Sequence, residues 1–175
     1  MRPTPPLVEP GAVVVLIGAP GAGKTRTGKR LARLLHVPLV DTDKRIVAEH
    51  GTIAGIFASH GEAHFRELER AAVSRALAER AVVTLGGGAV LDAATQADLL
   101  GHRVVQLTVS AAAVESRIAG GKRPLLVDGI GAWQALVAIR QPLYDRLSQL
   151  SIDTSQQPLD RVAQQIADWL ERQEL

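Results

Sequence analysis

The chain has 175 residues, 46% hydrophobic and 22% charged, which suits one globular domain that buries its own core and excludes a disordered or collagen-like chain. Cysteine is absent, so disulfides, Cys-ligated zinc, iron–sulfur clusters and thiol nucleophiles are all excluded. Twenty Lys+Arg against 18 Asp+Glu leave a net charge of +2, and aromatic residues make up only 3%, so neither a strong basic face nor a base-stacking platform for nucleic acid is expected.

Residues 1–10 (MRPTPPLVEP) are proline-rich and polar and read as a flexible tail ahead of a single domain over 11–175. AVVVLI (12–17) is an apolar run of strand length that leads into a glycine loop, which fits a buried strand rather than an export segment. Residues 24–35 carry Leu31, Leu34 and Leu35 at helical spacing. VPLVD (37–41) is a second strand. Short helices are expected over 42–50 and 52–59, separated by Gly51. A longer helix over 61–80 turns Phe65, Leu68, Ala72 and Leu77 inward. AVVTL (81–85) is a third strand, and 92–100 is a helix with Asp92 as its N-cap. RVVQLTV (103–109) is a fourth strand, followed by a helix over 110–119 and a Gly-Gly-Lys-Arg-Pro loop. A helix over 131–147 is expected despite Pro142, then a fifth strand over 148–153 and an amphipathic helix over 159–170.

Short strands, apolar throughout and alternating with helices, imply a three-layer α/β domain whose parallel sheet is covered on both faces. Ligands of such sheets bind beyond the carboxyl ends of the strands, so the loops after residues 17, 41, 85 and 109 should share one mouth. No apolar run reaches the ~18–20 residues that span a bilayer. The expectation is a cytoplasmic monomer that acts on small molecules, with no nucleic-acid or membrane partner.

The strongest motif is Gly18-Ala-Pro-Gly-Ala-Gly-Lys24-Thr25, which matches G-x-x-x-x-G-K-[ST] between a β-branched strand and a helix. Glycines let the backbone curl until successive N–H groups face phosphate oxygens, and the following helix adds its positive dipole end. The candidate nucleotide-binding residues are therefore Gly21, Ala22, Gly23, Lys24, Thr25 and Arg26. Lys24 reaches the β- and γ-phosphates, and the Thr25 hydroxyl suits Mg²⁺. A guanine-reading Asn/Thr-Lys-x-Asp motif is missing, and the third strand ends in glycine rather than a metal-binding aspartate.

A second carboxylate must then come from Asp41-Thr42-Asp43 at the end of the second strand. One of the two can hold the Mg²⁺ side while the other faces an acceptor hydroxyl. Alternatively, Thr42 or Asp43 merely caps the next helix. Arg66 and Arg140 are candidate forks for a planar carboxylate, set against the plainer reading of solvated ion-pair partners. Gly86-Gly87-Gly88 is more than one turn needs, and close backbone approach to a ligand would explain it. Gly120-Gly121-Lys122-Arg123-Pro124 reads as a mobile lid that brings Arg123 over the phosphates, or as an ordinary surface loop. His60 and His64 are four apart, but Gly61 between them weakens a shared helix face, and a metal role is not favoured.

Together these pieces resemble the shikimate kinase family, small P-loop kinases of the nucleoside monophosphate kinase type. The resemblance runs from about residue 12 to about 170. It rests on GAPGAGKT (18–25), DTD (41–43), Gly-Glu-x-x-Phe-Arg (61–66), GGG (86–88), KRPLL (122–126) and RQPLY (140–144). It implies transfer of the γ-phosphoryl group of ATP to the 3-hydroxyl of shikimate, within aromatic amino-acid biosynthesis. It also implies a five-stranded parallel sheet of order 2-3-1-4-5, a substrate-binding segment at about 42–72 and a lid at about 118–128. By the same resemblance, Asp43 binds the substrate hydroxyls and takes the proton, and Asp41 stands on the magnesium side. Arg66 and Arg140 grip the shikimate carboxylate, while Gly87 and Gly88 offer backbone N–H groups and Gly86 shapes the turn. Arg123 is the lid arginine, and Arg117 and Pro158 fall on the adenine side. The lid loop is shorter and richer in glycine than the family pattern.

Three other readings stay open. A sugar-acid kinase of the gluconate type would share the P-loop and the lid arginines, and a nucleoside monophosphate kinase would share the scaffold. A non-catalytic nucleotide-binding module would need neither Asp43 nor Arg66.

Overall fold

A computed structural model of the chain describes residues 11–119 and 129–173. The expected tail at 1–10, and the expected lid from residue 120 onward with Arg123, lie outside the described residues. Five strands, β1 (Val14–Gly18), β2 (Leu39–Asp41), β3 (Val82–Thr84), β4 (Val104–Thr108) and β5 (Leu150–Asp153), form one sheet. Its order is β2-β3-β1-β4-β5 and every neighbouring pair is parallel, as the resemblance implied. The helices are α1 (Lys24–Leu34), α2 (Thr42–His50), α3 (Ile53–Leu77), α4 (Ala93–Leu99), α5 (Ala111–Ala119), α6 (Gly129–Leu147) and α7 (Leu159–Gln173).

The unbroken apolar run of β1 is explained by its central position. Alternate residues face opposite sides of a strand. Val14 and Leu16 pack with Leu31 of α1 and Ile166 of α7. Val15 and Ile17 pack with Val73 of α3, Leu99 of α4 and Tyr144 of α6. All five residues of β1 are buried, and each aliphatic side chain contributes about 1.5–3 kcal/mol by leaving water. Parallel pairing brings Gly18, Asp41 and Thr84 to the same edge of the sheet, in register Leu16↔Thr84 and Asp41↔Thr84.

A smaller cluster of Ile46, Ile56, Phe65 and Ala72 joins α2 to α3 beside that edge. The chain enters this segment through Gly51 (φ 89°, ψ −174°), which ends α2. It leaves the first half of α3 through a non-helical break at Gly61 (φ 80°, ψ 172°). Both backbones lie in a region that essentially only glycine visits. The expected helix break before residue 61 is therefore present.

Several boundaries differ from expectation by a few residues, and one short element was not expected. The long helix ends at Leu77 rather than residue 80, because the Leu77 carbonyl accepts the Ala12 N–H at 2.9 Å as the chain enters β1. The last long helix before β5 already includes Gly129 and Ile130, ahead of the expected residue 131. Ala89–Leu91 forms a 3₁₀ turn, too short to leave a periodic signal. Among the described residues no helix is long and apolar enough to cross a membrane.

Candidate active site

The glycine loop between β1 and α1 has backbone angles that its sequence requires. Gly18, Gly21 and Gly23 all take positive φ (141°, 86° and 85°). A Cβ on Gly18 would stand 2.2 Å from the Leu107 carbonyl oxygen, so β1 can lie against β4 only without a side chain there. Three side chains from outside the loop hold its carbonyls. Trp133 Nε1 donates to Pro20 O at 2.8 Å, Arg117 Nη1 to Gly21 O at 2.7 Å, and Thr154 Oγ1 to Ala22 O at 2.9 Å. Lys24 Nζ donates to Gly18 O at 2.6 Å and Ala19 O at 3.1 Å, which folds its ammonium over the loop.

Asp41 serves two partners at once. Its Oδ1 accepts the Lys44 N–H at 3.0 Å and caps α2, while its Oδ2 accepts the Thr25 hydroxyl at 2.5 Å. The cap expected on Thr42 or Asp43 therefore belongs to Asp41. Thr42 turns the other way, into the core, donating to Thr84 O at 3.3 Å and accepting the Gly86 N–H at 3.4 Å. With Thr42 pinned, Asp41 faces the Thr25 side and Asp43 faces the glycine run. Asp43 sits so close to Gly86 that a Cβ there would lie 2.5 Å from Asp43 Oδ1. Burial raises the Asp43 pKa above the ordinary carboxylate value, Asp41 adds to the rise, and Lys24 and Arg66 work against it.

The other two glycines accommodate the two arginines. A Cβ on Gly87 would be 3.1 Å from Arg140 Nη1, and one on Gly88 would be 2.4 Å from Arg66 Nη1. Arg66 is held by Glu69 at 2.7 Å and Glu62 at 3.3 Å. Burial works to lower the Arg66 pKa, but hydrogen bonds and charge from Glu69 and Glu62 carry it above the usual value. Glu69 is only 4% exposed, and burial lifts its pKa although Arg66 pulls it down. The plain reading of Arg66 as a helix ion-pair partner is thus true of its contacts, and the same guanidinium also borders the glycine run.

One cleft of about 350 Å³ gathers these parts. Gly21, Gly23, Lys24, Thr25, Arg26 and Asp41 line one end. Asp43, Arg66, Glu69, Arg140 and the three glycines line the other, with Ile53, Phe57 and Phe65 as apolar wall. Three expected nucleotide residues stand outside that lining. Ala22 is buried within the loop, Arg117 holds the loop from behind, and Pro158 precedes α7, whose Leu159 would lie 3.5 Å from a Cβ on Gly23.

Several side chains were not singled out from sequence. Glu69 follows Arg66 at i+3, a spacing shared by most solvated helix pairs, so nothing marked it as buried. Tyr144 lay inside the quoted RQPLY stretch, yet its hydroxyl donates to Gly87 O at 2.7 Å, which no spacing announces. Trp133 and Thr154 left no sequence signal at all.

A parallel sheet of this order, with a phosphate loop after β1 and a carboxylate-and-arginine pocket on the same mouth, defines a P-loop kinase of the small-molecule type. The family model described as shikimate kinase matches residues 20–171. A shikimate kinase of Frankia casuarinae is 47% identical over 168 residues, covering 94% of this chain and 75% of that protein. One from Thermobifida fusca is 46% identical over 159 residues, covering 89% and 92%. The structure of shikimate kinase from Acinetobacter baumannii in complex with shikimate superposes with a TM-score of 0.86 at 32% identity, covering 94% of this chain and 95% of that one. The chain belongs to the shikimate kinase family, and it is an ATP-dependent kinase. That membership decides against the gluconate-type, nucleotide-acceptor and non-catalytic readings.

Proposed function

We propose that this chain phosphorylates the 3-hydroxyl of shikimate with the γ-phosphoryl group of ATP, yielding shikimate 3-phosphate and ADP. The observation that carries the reading is the single cleft in which Lys24 and Asp43 interact electrostatically while Arg66 and Arg140 lean over adjacent glycines. Shikimate is a small hydroxylated carboxylic acid. Two guanidinium forks suit its carboxylate, and Asp43 with the Gly87 and Gly88 backbone suits its hydroxyls.

In the reaction, the acceptor oxygen forms a bond to the γ-phosphorus as the bond from that phosphorus to the β,γ-bridging oxygen breaks. ADP departs with that electron pair. The proton leaves the hydroxyl for Asp43, whose raised pKa suits a carboxylate meant to receive one. The loop amides over Gly21–Arg26 and the Lys24 ammonium neutralise charge on the migrating group. The family resemblance assigns Arg123, which lies outside the described residues, to the phosphates, and Arg117 and Pro158 to the adenine side. The donor set at Thr25 and Asp41, a hydroxyl and a carboxylate in contact, is the hard-oxygen kind that Mg²⁺ prefers. Held by Thr25 and Asp41, Mg²⁺ would supply positive charge that lowers the repulsion between the phosphates and the incoming hydroxyl.

Residues 11–175 act as one domain, with the acceptor segment at about 42–72 and the lid at about 118–128. The enzyme works as a cytoplasmic monomer, and light scattering on the purified chain tests the oligomeric state. The decisive experiment is an ADP-release assay. Release is expected with shikimate and not without it, and gluconate should leave the rate at background. Equal rates with either acid would refute the acceptor assignment.

A further inference from the structure

Helix α6 carries three polar-tipped residues on one stripe. Trp133, Arg140 and Tyr144 are seven and four residues apart, close to whole turns at 3.6 residues each, so they share the face turned to the sheet. Trp133 and Tyr144 are both buried, at 7% and 1% exposure. Each donates its polar hydrogen to a loop carbonyl at a different end of the cleft: Trp133 Nε1 to Pro20 O at 2.8 Å, and Tyr144 Oη, which also accepts from Arg140, to Gly87 O at 2.7 Å.

A peptide plane explains why this matters. In a trans peptide the carbonyl and the next residue's N–H point in opposite directions. Holding Pro20 O toward α6 turns the Gly21 N–H away from α6, in a loop that lines the donor end of the cleft. Holding Gly87 O toward α6 does the same for the Gly88 N–H beside Arg66, at the acceptor end. The helix itself is held against β4. Buried Gln106 donates to Asp145 Oδ1 at 2.9 Å and accepts from Gln141 Nε2 at 2.7 Å, so α6 cannot slide or rotate without breaking that pairing. Ala19, Val114 and Trp133 also form one apolar cluster, which seats the indole against the base of the phosphate loop.

We propose that Trp133 and Tyr144 are positioning residues, Trp133 for the phosphate loop and Tyr144 for the glycine run, so that one rigid helix sets both halves of the site. The inference rests on the substrate reading above, but its donor half can be tested without any acceptor chemistry.

The test uses Trp133→Phe and Tyr144→Phe in the full chain. Calorimetric titration with ADP and Mg²⁺ and steady-state kinetics with ATP and shikimate are run on both and on the unaltered enzyme. Loss of one hydrogen bond that orients a ligand-binding amide is expected to weaken the affected ligand about three- to tenfold. Trp133→Phe should weaken ADP and raise the KM for ATP by that factor while the KM for shikimate moves less than twofold. Tyr144→Phe should do the reverse. Because removing an indole also leaves a void, Trp133→His, which restores a ring N–H, is expected to recover part of the ADP affinity if the hydrogen bond is what matters. Loss of both ligands in equal measure in each variant, or no change in either, would overturn the proposal. If the unaltered enzyme failed to phosphorylate shikimate, the acceptor assignment would fall while the ADP titrations still decided the donor half.

Discussion

Gly88 lies so close beneath the Arg66 guanidinium that a methyl group on its α-carbon would stand 2.4 Å from Arg66 Nη1 and 2.8 Å from Nη2. Such distances are well inside van der Waals contact, so the arginine would have to leave. Gly88→Ala is therefore expected to raise the KM for shikimate roughly tenfold to a hundredfold, the range for losing charge-assisted hydrogen bonds to a carboxylate. The KM for ATP should move little. Steady-state kinetics with each substrate varied in turn checks this, and equal losses for both substrates would point to a disturbed fold.

Asp43→Asn tests the proton role. Removing a general base commonly lowers turnover by about 10²–10⁴, and nucleotide binding should persist because Asn leaves the phosphate loop intact. Retention of more than about a tenth of kcat would count against proton transfer to Asp43.

The same variant should be more stable than the parent near neutrality. The folded state holds the Asp43 proton more tightly than the unfolded chain does, its pKa lying above the ordinary 3.8. Stability from this group is then fully present below the unfolded value and is lost as pH rises through the folded one. Asn carries no such penalty. Thermal melts of the ligand-free proteins should show Asp43→Asn melting higher at pH 7, with the gap closing as pH falls toward 3.8. A gap that widens on acidification would reverse the sign and refute the argument.

Glu69 holds Arg66 from a buried position, so Glu69→Gln keeps the shape and removes the charge. Breaking a buried pair by changing one partner leaves the other charge uncompensated. Shikimate affinity should fall about tenfold, on the scale of one lost charged hydrogen bond, with ATP affinity unchanged. Isothermal titration with each ligand separates the two.

Asp41→Asn should raise the Mg²⁺ concentration needed for half-maximal rate without raising the KM for shikimate. Asn caps a helix about as well as Asp, so the Lys44 cap survives while the carboxylate charge beside Thr25 is lost. Chelating the metal from the parent enzyme should abolish product.

The parallel sheet and the phosphate loop were legible because each leaves a pattern along the chain, whereas the strand order and the grouping of Asp43 with Arg66 and Arg140 followed only from the family resemblance. Apolar runs between helical stretches announce buried parallel strands, and Gly18–Thr25 announces its own backbone. Glu69, Trp133, Tyr144 and Thr154 were not legible in their roles. Their parts depend on contacts across 3 to 132 positions, such as Thr154 Oγ1 to Ala22 O, and no local spacing encodes them. Asp41 shows a third case. Its carboxylate was expected on the magnesium side and the cap on a neighbour, and the structure gives the cap to one Asp41 oxygen and the Thr25 hydroxyl to the other.

Strand β1, sealed on both faces, ends directly in the phosphate loop. Its amides should therefore exchange with deuterated solvent only on global unfolding. The stretch between Gly51 and Gly61 is bracketed by backbone that only glycine readily adopts, and it carries Ile53 and Phe57 along the apolar wall of the cleft, so a side chain at either glycine would strain that wall and leave the strand beneath it untouched.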